Sequence, residues 1–122
     1  MRIQGLHHAQ ICIPEGSEED AKAFYCGVLG LPEVTKPSSL EGRGGFWLQV
    51  GARQVHVGTE GQVDRTATKA HLAYEVTEID SWRDHLHQHD VDVEDGVPIP
   101  GFFRFEFRDP FGNRVEFIEP VS

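Results

Sequence analysis

The sequence is poor in three features that mark other protein classes: cysteine, basic residues and long apolar segments. Only two cysteines, Cys12 and Cys26, occur among its 122 residues, which is too few for a disulfide framework. No apolar run approaches the roughly 20 residues that span a bilayer, and the first residues lack the apolar stretch of a signal peptide. These absences predict a cytoplasmic protein.

Basic residues are outnumbered by acidic ones, 11 Lys and Arg against 20 Asp and Glu, which gives a formal net charge of -9. Such a charge repels phosphate backbones and anionic lipid surfaces. We therefore expect no nucleic-acid partner and no membrane partner, and we expect a small molecule as ligand. The length fits one compact domain, so residues 1–122 are predicted to form a single domain.

An internal repeat is the main feature that the sequence does contain. Residues 1–60 show a strand pattern, an amphipathic helix and three further strands, and residues 68–122 show the same order. The segment that begins at His8 parallels the one that begins at His71, and His56 and Glu116 occupy matching places near the ends of the two segments. The sequence predicts an α+β fold of two βαβββ modules, forming a cupped mixed sheet with helices on its outer face.

Local signals predict how individual elements of the modules begin and end. Ser17 and Thr77 each precede an aspartate by three residues, the spacing of a capping box, so both are predicted to begin a helix. Residues 91–93 are predicted to form a short strand, and residues 38–45 a flexible loop.

Side-chain alternation predicts that four side chains able to bind a metal ion lie on the polar face of the sheet. Because successive strand residues point to opposite faces, His56 lies opposite Val55 and Val57, and the other strands of the two modules divide in the same way. If the sheets curve towards each other, the residues that meet at one centre are His8, His56, His71 and Glu116. Imidazoles with one carboxylate suit Zn²⁺, Ni²⁺, Fe²⁺, Co²⁺ or Mn²⁺.

Three segments resemble the vicinal oxygen chelate superfamily, which includes glyoxalase I, extradiol dioxygenases and bleomycin-binding proteins. They are LHHAQICIP at residues 6–14, FY and LGL at 24–31, and DPFGNRVEF at 109–117. The resemblance implies a cup of two βαβββ modules around a divalent metal, with His8, His71 and Glu116 as ligands. His56 occupies the place of the fourth ligand, which varies among members.

The resemblance favours a metal-dependent lyase, isomerase or epimerase whose substrate chelates the metal through two neighbouring oxygens. Glu116 is predicted to be catalytic as the group that moves a proton, with a nearby carboxylate such as Glu75 or Glu106 as the alternative. Cys12 stands where glyoxalase I enzymes carry an arginine for glutathione, which argues against that substrate. An Fe²⁺ dioxygenase and a protein that binds a small molecule without chemistry remain alternatives.

Three further residues are candidates for contact with a substrate. Trp47 shares the predicted cup face and is expected to form an apolar wall, while Arg104 and Arg114 are expected to hold a substrate carboxylate. Pairing of these arginines with Glu106 or Glu75 is the structural alternative. Because a single cup would leave sheet edges uncovered, we also expect a homodimer.

Overall fold

Two mixed β-sheets, one in each half of the chain, form the framework of the protein. The computed structural model describes all 122 residues and divides into two units, Met1–Val63 and Asp64–Ser122. Each unit contains one α-helix, and neither helix has the length and hydropathy needed to span a membrane. The predicted α+β class with two βαβββ-type modules is confirmed.

The sheet of the first unit has four strands in the order β1-β4-β3-β2. Strand β1 runs parallel to β4, and the other neighbours are antiparallel. Helix α1 continues directly into a π-helical segment, Ala23–Val28, so the predicted amphipathic helix is present with two hydrogen-bonding patterns. The elements are β1 (His8–Pro14), α1 (Glu18–Lys22), β2 (Glu33–Val34), β3 (Phe46–Val50) and β4 (Arg53–Glu60).

The sheet of the second unit has three strands in the order β5-β7-β6, with β5 parallel to β7 and β6 antiparallel to it. Asp109 orders the β6–β7 turn, since its carboxylate accepts hydrogen bonds from the backbone N–H groups of Phe111 and Asn113. The elements are β5 (His71–Glu75), α2 (Ile79–Gln88), β6 (Phe102–Arg108) and β7 (Arg114–Pro120).

Each unit buries the apolar side of its sheet, as the alternation of side chains predicts. The buried core of the first unit includes Ile13, Tyr25, Phe46, Leu48 and Val57. The buried core of the second unit includes Leu86, Phe105, Phe107, Val115 and Phe117. The opposite side of each sheet is therefore left to the polar side chains that concern function.

The predicted side-chain caps are absent from both helices, although Ser17 directly precedes α1 as predicted. Ser17 makes no side-chain cap, and its hydroxyl donates to the Pro14 carbonyl instead. Helix α2 begins after Glu78, which has a positive φ of 55°, and its first N–H groups are capped from β7. The Glu119 carboxylate accepts from the N–H groups of Glu78 at 2.9 Å and Ile79 at 3.1 Å. A carboxylate suits the positive end of the helix, but a cap 40 residues away leaves no local sequence signal.

The strand predicted at residues 91–93 is also wrong, because only Glu94 forms a bridge to Glu106. No residue of 91–93 pairs with β6. After Glu94, the chain contacts β6 through the side chain of Arg104. A Cβ atom on Gly96 would lie 2.0 Å from an Arg104 nitrogen, and that arginine donates to the Val97 carbonyl at 2.9 Å.

Gly45→Ala is expected to lower the free energy of unfolding by about 2–4 kcal/mol, through steric overlap and left-handed backbone strain. Gly45 has a φ of +77°, and an added Cβ would lie 2.0 Å from the Val57 carbonyl oxygen. Gly42→Ala is the matched control, since Gly42 has a similar φ of +84° and open space around it. Urea unfolding of both variants measures the difference, and equal losses would contradict the close approach.

Candidate metal and substrate site

The first unit places His8 on β1 and His56 on β4, two of the predicted metal ligands. Their rings are stacked with centroids 4.1 Å apart and planes 18° from parallel. On the other side, Trp47 from β3 stacks on His56 at 3.9 Å and 1°. Three rings from three neighbouring strands thus form one column, which we call the aromatic column, and this column places Trp47 beside the predicted metal ligands.

His56 is the buried member of the aromatic column, with 8% of its surface exposed. Burial lowers its pKa, and the neighbouring His8 and His7 lower the pKa further. The neutral imidazole is the form that binds a metal ion. Because the two imidazole planes are almost parallel, their lone pairs do not converge, so the exposed His8 ring must turn before both can hold one ion.

The second unit brings together the other two predicted ligands, His71 on β5 and Glu116 on β7. His71 Nδ1 lies 3.0 Å from the Lys69 carbonyl oxygen, which can only accept, so Nδ1 carries the proton of the neutral ring. Nε2 then carries the lone pair, and it lies 3.1 Å from Glu116 Oε1. Two acceptor atoms face each other, and a proton or a metal ion is required between them.

This pair fits a divalent ion that prefers nitrogen and oxygen ligands. Two ligand atoms 3.1 Å apart, each about 2.1 Å from an ion, enclose roughly a right angle, which is the angle between adjacent ligands of an octahedral ion. A histidine that donates its other N–H to a backbone carbonyl is also typical of metal sites. The donor types of His71 and Glu116 are therefore those that such an ion binds.

Arg104 on β6 is the main partner of Glu116. Its Nε donates to Oε2, and one terminal nitrogen donates to Oε1, both at 3.1 Å. The same terminal nitrogen donates to Glu106 at 2.9 Å, and Arg114 donates to that carboxylate as well. The charges of both predicted substrate-binding arginines are thus matched by two carboxylates, although Arg114 Nε is buried without an acceptor.

The arginines keep both carboxylates ionised. The hydrogen bond from Arg104 lowers the pKa of Glu116, and the hydrogen bond from Arg114 lowers the pKa of Glu106. Glu116 is nearly buried, with 7% of its side chain exposed, so its charge depends on these partners. An ionised carboxylate is the form that binds a metal ion.

The structure thus pairs the four predicted ligands two by two, within the first unit and within the second. No group of three or more His, Cys, Asp or Glu side chains in the chain is arranged to hold an ion. His85 and His89 form a further histidine contact on α2, with ring centroids 4.7 Å apart.

A cavity of about 310 Å³ in the first unit holds functional candidates that sequence reasoning missed. It is lined by Trp47 and His56 and by two cations, Lys36 and Arg43. Two basic residues around a glycine-rich segment, in an acidic chain, are the sequence signal for this cavity. From the sequence, the glycine-rich composition of this segment predicted only a flexible loop at residues 38–45.

Comparison with known proteins identifies a family. The profile of the Glyoxalase/Bleomycin resistance protein/Dioxygenase superfamily matches residues 5–117. A solved structure from Bacillus anthracis, named for the glyoxalase family, is 39% identical, with a TM-score of 0.91 and 98% of each chain covered. No protein of curated function matches the chain.

More distant solved structures share the fold alone. Lactoylglutathione lyase from Agrobacterium tumefaciens is 20% identical with a TM-score of 0.75, covering 98% of this chain and 96% of its own. The fosfomycin resistance protein FosX from Mesorhizobium loti is 16% identical with a TM-score of 0.73, covering 98% and 95%. The profile match, with the close similarity to the Bacillus anthracis structure, shows that this chain belongs to the glyoxalase/bleomycin resistance/dioxygenase superfamily.

Proposed function

We propose that this protein is a metal-dependent lyase, isomerase or epimerase that acts on a small substrate with two neighbouring oxygens. The observation that carries the proposal is the contact of His71 Nε2 with Glu116 Oε1 at 3.1 Å, in which two acceptor atoms need either a proton or a metal ion between them. The ligands we propose are His8, His56, His71 and Glu116. When bound, the ion would supply a Lewis acid that stabilises negative charge on a chelated substrate oxygen.

The residues around Glu116 prepare that carboxylate for its proposed role as proton acceptor. Arg104 holds both oxygens at 3.1 Å, which fixes the orientation of the group and favours its ionised form. The Lys69 carbonyl fixes the tautomer of His71, so that the lone pair on His71 Nε2 faces Glu116 Oε1. A proton taken from a substrate C–H would be held at Oε2, the oxygen that does not face His71 Nε2.

Solvent exchange tests the reaction across a panel of candidate compounds. We expect the protein loaded with Ni²⁺, Co²⁺, Mn²⁺ or Zn²⁺ to exchange an acidic C–H for deuterium in an α-hydroxycarbonyl, 2-oxo acid or thioester. Proton NMR in D₂O without oxygen measures the exchange. It should stop on chelation and in His71→Ala, and persist in His87→Ala, which changes an exposed histidine of α2.

Two other outcomes of this experiment would replace the proposal. Turnover only with Fe²⁺ and oxygen would indicate a dioxygenase, in which His8, His71 and Glu116 supply two histidines and one carboxylate. Tight binding of an intact ligand with no turnover across the panel would indicate a binding protein.

We also propose that two copies of the chain associate. Several apolar side chains of the second unit are exposed: Val97 at 82%, Ile99 at 41%, Phe102 at 42%, Phe103 at 55% and Val121 at 48%. Exposed apolar surface is typical of contact surfaces between proteins. We expect light scattering to give twice the 13.7 kDa of the chain, and Phe103→Glu to give the mass of one chain. A mass of one chain for the unchanged protein at micromolar concentration would contradict the dimer.

A further inference from the structure

The cavity beside the aromatic column contains cationic groups in a strongly acidic protein. It measures about 310 Å³, at the lower end of the range for small-molecule sites, and both Lys36 and Arg43 line it. The chain as a whole carries a formal charge of -9, so two cations at one cavity stand out from the surrounding charge. Their positive charge suits a negatively charged ligand.

The guanidinium of Arg43 has no ion pair and no hydrogen bond to another group of the chain. In this respect it differs from Arg104 and Arg114, whose charges are matched by Glu106 and Glu116. Lys36 Nζ makes one hydrogen bond, to the Gly44 carbonyl at 2.9 Å, so other donors of the ammonium remain available. The positive charge that is not paired with a carboxylate therefore lies at this cavity, on Arg43 and Lys36.

The segment that carries Arg43 is fixed on its carboxyl side. Lys36 binds the Gly44 carbonyl, and the Glu18 carboxylate accepts from the Gly45 N–H at 3.2 Å. Gly44 and Gly45 have φ values of +78° and +77°, and Gly45 lies too close to the Val57 carbonyl to carry a side chain. Residues 43–45 thus hold a set position against β4, which places Arg43 at the cavity before any ligand binds.

We propose that Lys36 and Arg43 bind an anionic group of the substrate, a carboxylate or a phosphate, while the body of the substrate lies along Trp47. A guanidinium binds either anion through two parallel hydrogen bonds, and an indole ring offers a flat apolar surface. This inference names the substrate class of the proposed function and rests on it for the identity of the site. The anion contact itself uses only side chains of the first unit and needs no metal.

The test uses three probes that each contain a phenyl ring: benzoate, phenyl phosphate and uncharged benzamide. Binding to the full chain is measured by calorimetry in EDTA, and the indole N–H signal of Trp47 is followed by NMR. The chain has two tryptophans, so Trp47→Phe assigns that signal. We expect at least one anion to bind and shift the Trp47 signal, and benzamide to bind at least about tenfold more weakly. The tighter of the two anions identifies the group that the site prefers.

Arg43→Gln is expected to weaken binding of the anion by about tenfold or more. The double variant with Arg43→Gln and Lys36→Gln is expected to bind the anion more weakly still. Arg2→Gln is the matched control, since it removes the same charge from an exposed residue outside the cavity. Failure of both anions to bind, equal binding of benzamide, or unchanged binding by Arg43→Gln would overturn the inference.

A parallel measurement separates this inference from the proposed function. Glu116→Gln should leave anion binding in EDTA unchanged, because the anion contacts lie in the other unit. Loss of anion binding in Glu116→Gln equal to that in Arg43→Gln would overturn the assignment to Lys36 and Arg43. If the unchanged protein binds no divalent metal but still binds the anion through Arg43, the proposed function fails and the anion site stands.

Discussion

Glu116→Gln is expected to weaken binding of Zn²⁺ or Ni²⁺ by about a hundredfold or more, because it replaces a charged metal ligand with a neutral amide of the same size. Loss of groups that only orient a ligand weakens metal binding by roughly 10–100-fold, and loss of the ligand itself should exceed that. Glu116 is 7% exposed and its Oε1 faces His71 Nε2 at 3.1 Å, so the substitution removes the negative charge that faces this imidazole. Competition titration against a chelator of known affinity measures the change.

Glu15→Gln provides the control for this experiment. Glu15 is exposed in the turn after β1, and the substitution changes the net charge of the chain by the same amount. We expect it to leave metal affinity within about twofold of the unchanged protein, since exposed charges at a distance are screened by salt. Equal losses in Glu15→Gln and Glu116→Gln would remove Glu116 from the metal site.

Arg104→Gln is expected to lower the free energy of unfolding of the metal-free protein by about 2–4 kcal/mol. Glu106 and Glu116 are direct cross-strand partners on β6 and β7, and Arg104 donates to both. Without that arginine, two largely buried carboxylates face each other, and like charges in such positions are destabilising. Urea unfolding in EDTA measures the loss.

A second substitution identifies the cause of that loss. Arg104→Gln combined with Glu116→Gln removes one of the facing charges, so we expect the double variant to be more stable than Arg104→Gln alone. Asp95→Asn is the control, because its pair with Arg83 is exposed, at 75% for Asp95 and 40% for Arg83, and should contribute less than about 1 kcal/mol. If Arg104→Gln and Asp95→Asn lose equal stability, Arg104 does not hold the two carboxylates in place.

The fold follows from signals that are local in the sequence. The repeat of element order and the alternation of apolar residues predicted both sheets. The errors lie where contacts with distant residues determine the backbone. Glu119 caps α2 across 40 residues, and Glu94 alone pairs with β6 next to the strand expected at residues 91–93. Neither contact has a signature in the segment that it affects.

The sequence predicted which residues belong to the candidate site, but it did not predict their burial or their contacts. Alternation placed His56 and Glu116 on polar sheet faces, but both are buried, at 8% and 5% exposure. The sequence could not show that Arg104 and Arg114 pair with Glu106 and Glu116, because that depends on cross-strand register. The sequence also could not show that Arg43 lacks a carboxylate partner, because that depends on where the carboxylates lie in the folded chain.

X-ray absorption at the zinc edge of the zinc-loaded protein tests the proposed metal centre most directly. We predict one ion per chain with nitrogen and oxygen neighbours at about 2.0–2.2 Å and outer-shell scattering from three imidazoles, those of His8, His56 and His71. Glu116→Gln should lose this signal at equal zinc concentration. A spectrum without imidazole scattering, or one with sulfur neighbours at about 2.3 Å, would contradict the proposed centre.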